Sequence, residues 1–253
     1  MLSKNRFFFI FVCPLVLLGC SKTTVEDASR ITPLYTEYYT IQVGQSMLYR
    51  LDSVVLLPFG SDTVTHSYWQ KDSVVSVTKD LSGGLQYNVN SYIKPYTGNL
   101  DWVYLNTYRV TPKVQTLEMV GDDNLRFVKL ASPVTDNFSW DGNGYFMQGY
   151  TPTSGDPLAI YVNWNYQYTN VDSTLALTTG NFTNSVTVKE IDAASSPTFN
   201  PAQYYSRSLS VESYAKGWGL VHRKQLFLTW QNSAQSVGYE SFSYGIELTR
   251  VQQ

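Results

Sequence analysis

Several stretches of this chain alternate large apolar or aromatic side chains with polar ones at a period of two. That spacing suits β-strands and is wrong for helices. Met47, Tyr49 and Leu51 fall on one face of such a stretch, with Leu48, Arg50 and Asp52 on the other. Leu85, Tyr87 and Val89 repeat the pattern, and Trp102, Tyr104, Asn106, Tyr108 and Val110 make a longer row. Ile160, Val162, Trp164, Tyr166 and Tyr168 form the cleanest row; Leu226, Leu228 and Trp230, then Phe242, Tyr244, Ile246 and Leu248, follow. Each reads as a half-buried strand with one face on a core and the other in water, the arrangement antiparallel sheets permit.

Between the rows lie Ser82-Gly83-Gly84, Gly98-Asn99, Gly121-Asp122-Asp123-Asn124 and Gly180-Asn181. Gly, Asn and Asp tolerate positive φ, so these are hairpin loops joining neighbours into meanders. No strand–helix alternation of the parallel-sheet kind occurs. Asn200-Pro201 supplies an N-cap and first-turn pair, which predicts a short helix through Tyr205. The segment 136–157, with Gly142, Gly144, Gly149 and Gly155, has no periodicity. Loops that long usually bind something or move.

The N-terminus carries a separate instruction. Lys4 and Arg6 precede an apolar run from Phe7 to Leu18, which forms the charged and hydrophobic regions of a secretory leader. The run is too short to cross ~30 Å of hydrocarbon as a helix. It ends in Leu17-Leu18-Gly19-Cys20, which resembles a bacterial lipobox. That resemblance implies cleavage before Cys20 and diacylglycerol on its sulfur. Each buried CH₂ of an acyl chain contributes about 0.8 kcal/mol, so two or three chains hold a protein on a bilayer. The organisation expected is a leader over 1–19, a polar tether over 20–34 and a β domain over 35–253.

Composition then excludes whole classes of chemistry. Loss of the leader takes Lys4 and Arg6 from 18 basic side chains and none from 20 acidic ones, leaving a formal charge of −4. Nucleic acid is not a partner such a chain would seek. Cys13 leaves with the leader and Cys20 is spent on lipid, and the chain has just two cysteines. The folded body therefore has no thiolate nucleophile, disulfide or Cys-ligated metal. His66 and His222 are the only imidazoles, set against twenty Tyr, twelve Phe and six Trp.

Four segments carry a wider likeness: Tyr39 to Val55, Ser139 to Asn143, Phe182 to Val188 and Glu212 to Lys224. Together they resemble a group of uncharacterised Bacteroidetes lipoproteins. That group repeats an early strand with Gly-x-x-Trp, a central Trp-x-Gly-Asn and a late Tyr-Ala-x-x-x-Gly-Leu-Val stretch. Here Met47 stands in place of the Trp, and His222 where Tyr is commoner. The resemblance implies a curved, LolA-like open barrel and assigns no activity to any residue.

Candidate chemistry is thin. His222 lies in a strand beside Arg223 and Lys224 and reads as structural or exposed, and His66 in Val64-Thr65-His66-Ser67 has no better claim; general-base work needs a partner carboxylate, which only a structure can place. Asp141-Gly142-Asn143-Gly144 lacks the spaced oxygens of a calcium loop and reads as a glycine-rich turn. Asp122 and Asp123 are adjacent, so on a strand they would point oppositely; a hairpin tip explains them better. The expectation is an all-β protein: one antiparallel domain with a strongly curved sheet or incomplete barrel, a β-sandwich being the alternative. It would be a cell-envelope lipoprotein, held through lipid on Cys20 to the outer membrane, with no cofactor or metal and no catalytic residue. A concave apolar interior would favour a hydrophobic ligand, and exposed aromatic rings a glycan. A carboxylate-dependent hydrolase and a purely structural role are the alternatives.

Overall fold

A computed structural model describes residues 34–57, 62–80, 83–153, 156–233 and 236–252. Cys20, the leader and most of the tether lie outside them. The strands are β1 (Ser46–Leu56), β2 (Thr63–Lys79), β3 (Leu85–Pro95), β4 (Val103–Pro112), β5 (Thr116–Val120) and β6 (Arg126–Ala131). After them come β7 (Ser139–Trp140), β8 (Tyr166–Leu177), β9 (Gly180–Ala194), β10 (Tyr205–Ala215), β11 (Gly219–Asn232), β12 (Val237–Tyr239) and β13 (Tyr244–Arg250). They form one antiparallel sheet in the order β6-β5-β4-β3-β2-β1-β13-β11-β10-β9-β8-β7, with β12 paired to β11 alone. The expected curved sheet is thus an almost closed barrel, not two stacked sheets.

The order divides the barrel into two meanders, β1–β6 and β7–β13, that join where the first strand pairs with the last. Tyr49 lies opposite Arg250, and Val55 opposite Tyr244. The outer edges β6 and β7 then face each other across a seam without a ladder of their own. Val128 N donates to Gly142 O at 2.8 Å, and Trp140 Nε1 donates to Val128 O at 2.8 Å. The buried Tyr168 hydroxyl donates to Ala131 O at 2.7 Å and accepts from Ala131 N at 2.9 Å.

The interior is layered along the barrel axis. At one end a short 3₁₀ turn, Tyr35–Glu37, and the residues after it plug the opening. Tyr35 and Tyr38 are buried there with Met47, Val74, Val89, Val110, Leu117 and Leu130. Tyr38 donates to Asp172 at 2.7 Å, and Lys216 bridges Asp172 and Glu37 at 2.9 and 3.0 Å. The middle layer is charged. The other end is aromatic, with Phe127, Phe146, Tyr161, Trp164, Phe227 and Tyr244 in successive ring contacts. The outward rows carry Arg50, Lys71, Lys94, Lys224 and Glu247, unlike the apolar band of a membrane-embedded barrel. Among the described residues no helix is long and apolar enough to cross a membrane.

Three of the expected rows change in the structure. Tyr166 and Tyr168 are core, but Ile160 and Val162 belong to a 3₁₀ turn, Pro157–Tyr161, and its exit. Asn163 at φ 63° then turns the chain, so Trp164 enters the barrel mouth from a loop. In β4, Ser91 of β3 pairs with Asn106 and Tyr92 with Tyr104, leaving Leu105 as a bulge. The extra residue flips Trp102 and Tyr104 to the outside, although Tyr108 and Val110 stay within. In β11, Arg223 and Gln225 face inward opposite Leu248 and Ile246, so Leu226 and Leu228 face outward. Trp230 is buried from outside, its indole donating to Pro201 O at 3.0 Å. Asn200 caps only a turn, accepting from Ala202 N at 3.0 Å, and no helix follows. The aperiodic segment contains one, α1 (Gly144–Met147).

Replacing Tyr168 by Phe removes one buried hydroxyl and strands both backbone groups of Ala131. Urea unfolding should show a loss of about 1–3 kcal/mol with the far-ultraviolet spectrum unchanged.

Candidate functional site

The charged middle layer is built by register errors that are themselves structural devices. Leu117 pairs with Leu130 and Glu118 with Val128, which leaves Lys129 in a bulge of β6. Ser210 pairs with Ile191 and Val211 with Lys189, which leaves Glu190 in a bulge of β9. A bulge re-aims its extra side chain, and here both side chains turn inward and meet. Lys129 Nζ lies 2.6 Å from Glu190 and 3.0 Å from Glu212, and Arg223 Nε lies 2.7 Å from Glu212. Ser210 donates to Glu190, Tyr214 to Glu212, both at 2.5 Å. Glu190 and Glu212 are 0% exposed.

Burial disfavours ionisation of both carboxyls, but their neighbours separate them. Lys129, Arg223 and the Tyr214 hydrogen bond hold Glu212 down at about 2, against its burial. Glu190 is raised by burial and by the Glu212 charge, despite Lys129. Two carboxylates clamped by one ammonium leave no room for substrate between them, so this layer binds the barrel together.

Above it, at the aromatic end, residues within 141–152 and 161–164 line an open groove of about 420 Å³. Tyr150, Tyr161, Trp164, Met147 and Pro152 line it together with the polar Asp141, Asn143, Thr151 and Asn163. Trp164 stacks one face on Phe227 at 6.1 Å and 6°, and its indole donates to Ile160 O at 2.6 Å. Tyr150 donates to Asp156. Burial and the nearby Asp123 and Tyr244 push the Tyr161 hydroxyl up to about 12, so it stays a donor.

Asn143 is the buried polar residue of the groove lining. It is 2% exposed, its backbone N–H bonds Asp141 Oδ1 at 3.0 Å, and its Oδ1 accepts from Tyr166 at 3.0 Å. The amide nitrogen has no partner among the described residues. Turning the amide over would exchange the two ends and leave the oxygen alone instead. Gly142 makes this placement possible, because a Cβ there would lie 2.3 Å from the Tyr166 ring.

A second set of rings lies on the outer face of β1–β4. Its faces are already covered: Trp69 stacks on Tyr96 at 4.6 Å, Arg50 lies over Tyr96, and Lys71 and Lys94 both lie over Trp102. His222 is on that outer side too, 2.9 Å from Glu247, and His66 is exposed. Asp122 and Asp123 occupy the β5–β6 turn, where Asp123 accepts from Leu125 N at 3.0 Å. Among the described residues no group of three His, Cys, Asp or Glu side chains could hold a metal. The sequence singled out Asp141 and Asn143 as a turn and Trp164 as a strand residue. It did not reveal that they converge.

The fold and groove define an antiparallel β-barrel with one plugged end and a ligand-sized recess at the other. No known family model, curated protein or solved structure matches the chain.

The charged layer predicts a definite acid response. Glu212 has a folded pKa below its unfolded value of 4.5, so the unfolded chain binds the extra proton between 4.5 and about 2. Its contribution is complete above 4.5 and disappears as pH falls towards about 2. Urea midpoints should place Glu212→Gln about 3–5 kcal/mol below the parent near neutral pH, and the gap should narrow as pH drops below 4.5.

Proposed function

We propose that this protein is a cell-envelope lipoprotein, anchored to the outer membrane through lipid on Cys20, that binds glycan in the groove without catalysing a reaction. The observation that carries this reading is the unpartnered, buried amide of Asn143 in a recess walled by Tyr150, Tyr161 and Trp164. A buried polar group without a partner costs about 1–3 kcal/mol, which a ligand hydroxyl would recover. Sugars offer hydroxyls at their edges and apolar C–H faces that lie on aromatic rings. Aromatic walls with a few convergent polar groups are the usual make-up of a small-molecule site.

The competing readings find less support. A lipid-sized hydrophobic ligand would need an apolar barrel interior, whereas Lys129, Glu190, Glu212 and Arg223 occupy its middle. A glycoside hydrolase of the usual kind places two carboxyls about 5–9.5 Å apart around the scissile bond. Among the described residues Asp141 is the one carboxylate lining the groove.

Titration of the protein against a panel of neutral and acidic polysaccharides, followed by calorimetry, tests the groove. At least one should bind, and Trp164→Ala and Asn143→Leu should each weaken it by about tenfold or more, equivalent to ~1.4 kcal/mol. Unimpaired binding by both variants, or no binding by the parent protein, would overturn the reading. The anchor is tested separately: Cys20→Ser should abolish incorporation of labelled palmitate and move the protein from the membrane pellet to the soluble fraction.

A further inference from the structure

Beneath the mouth lies a second recess, enclosed by the barrel and sharing no residue with the groove. It measures about 230 Å³, and Leu105, Asn106, Gly121 and Asp122 are among its lining residues. Asp72 and Arg223 line its walls, together with Tyr39, Tyr49, Tyr108 and Tyr214. The volume is below the ~300–1,000 Å³ of drug-sized pockets, so it suits a small ligand.

Asp72 makes this recess unusual. Four carboxylates are buried among the described residues: Asp72, Glu118, Glu190 and Glu212. Glu118 has Arg126 at 3.1 Å, Glu190 has Lys129 at 2.6 Å, and Glu212 has Arg223 at 2.7 Å. Asp72, 4% exposed, has no ion-pair partner among them. Its Oδ1 accepts from Ser91 at 2.6 Å and Gln70 at 2.9 Å, while Oδ2 accepts only from Tyr108 at 3.0 Å. Oδ2 therefore keeps acceptor capacity at the edge of the recess. Arg223, which also lines the recess, is ion-paired with Glu212, and it reaches Asp72 only through its field. Among the described residues the Tyr39 hydroxyl makes no hydrogen bond, and its ring packs edge-on to Tyr214 at 6.1 Å.

A buried carboxylate without an ion-pair partner is unfavourable, and four tyrosines line the recess beside it, Tyr49 already with Arg250 over its ring at 5.2 Å. Burial raises the Asp72 carboxyl above its usual range, against its three hydrogen bonds and the field of Arg223. A bound cation would reverse that effect. A neutral hydroxyl could bond Oδ2 but would leave the charge uncompensated.

We propose that this recess is a second binding site, for a small organic ammonium ion, with Asp72 as its counter-ion and the tyrosines as its aromatic cage. The site stands independently of the glycan reading. The test is calorimetry and thermal shift of the full chain with tetramethylammonium and choline, using 3,3-dimethylbutan-1-ol as the neutral isostere of choline. The cations should bind and raise the melting temperature, and the isostere should bind about tenfold more weakly or not at all. Asp72→Asn keeps shape and most hydrogen bonds, and should lower ammonium affinity by about tenfold or more. Tyr39→Leu removes one cage wall without touching Asp72 and should weaken binding severalfold. Equal binding of choline and its isostere, unchanged affinity in folded Asp72→Asn, or no binding of either cation by the parent chain would each overturn the proposal.

Discussion

The ion chain from Lys129 through Glu190 and Glu212 to Arg223 is the interaction on which the rest of the barrel depends. Lys129 belongs to β6, the free edge of the first meander, and the other three belong to β9, β10 and β11 of the second. The seam between β6 and β7 has few backbone hydrogen bonds, so side chains must hold it. A buried ion pair gains little over a well-packed apolar contact, but breaking one is costly because it strands a charge. The network thus sets the closed geometry more than it adds stability. Tyr168 and Trp140 complete the same seam from either side of it.

Closing the sheet has chemical consequences at both ends. The plug around Tyr35 and Tyr38 concentrates apolar burial at one end of the barrel, which frees the other end from core duty. That end can carry rings whose faces are not fully used and polar groups that are not fully paired. The outer face of β1–β4 shows the contrast. Its aromatic rings are covered by Arg50, Lys71, Lys94 and one another, so they stabilise the strand surface without offering a free platform.

The strand pattern was legible in the sequence because period-two alternation survives wherever the inward face is apolar. Met47 and Tyr49 are buried as their spacing requires, and the Gly121–Asn124 turn is where its residue types put it. Legibility failed where the barrel interior is polar. Arg223 and Gln225 face inward, so the apolar row Leu226–Leu228 pointed to the wrong face. It failed again at bulges, because one extra residue at Leu105, Lys129 or Glu190 reverses the alternation and leaves no local signature. The candidate sites were hidden for a third reason. Asp72 is far in sequence from Tyr39 and Arg223, and Trp164 shares the groove with Asn143 after the chain turns at the left-handed Asn163. The aperiodic segment 136–157 was the one local hint of the groove.

The pairing of β1 with β13 governs how this chain can be assembled. All strand pairings within the first meander are between sequence neighbours, but β1 keeps an open edge until the last strand arrives, and Val251 N then bonds Leu48 O at 3.0 Å. Long-range pairing of this kind is slow, and an unpaired edge invites the wrong partner. On a chain delivered N-terminus first, a first meander formed ahead of β13 would have both edges unsatisfied. Protection of that intermediate falls to the surroundings into which the chain emerges, since the strand that would cover β1 is the last to be delivered.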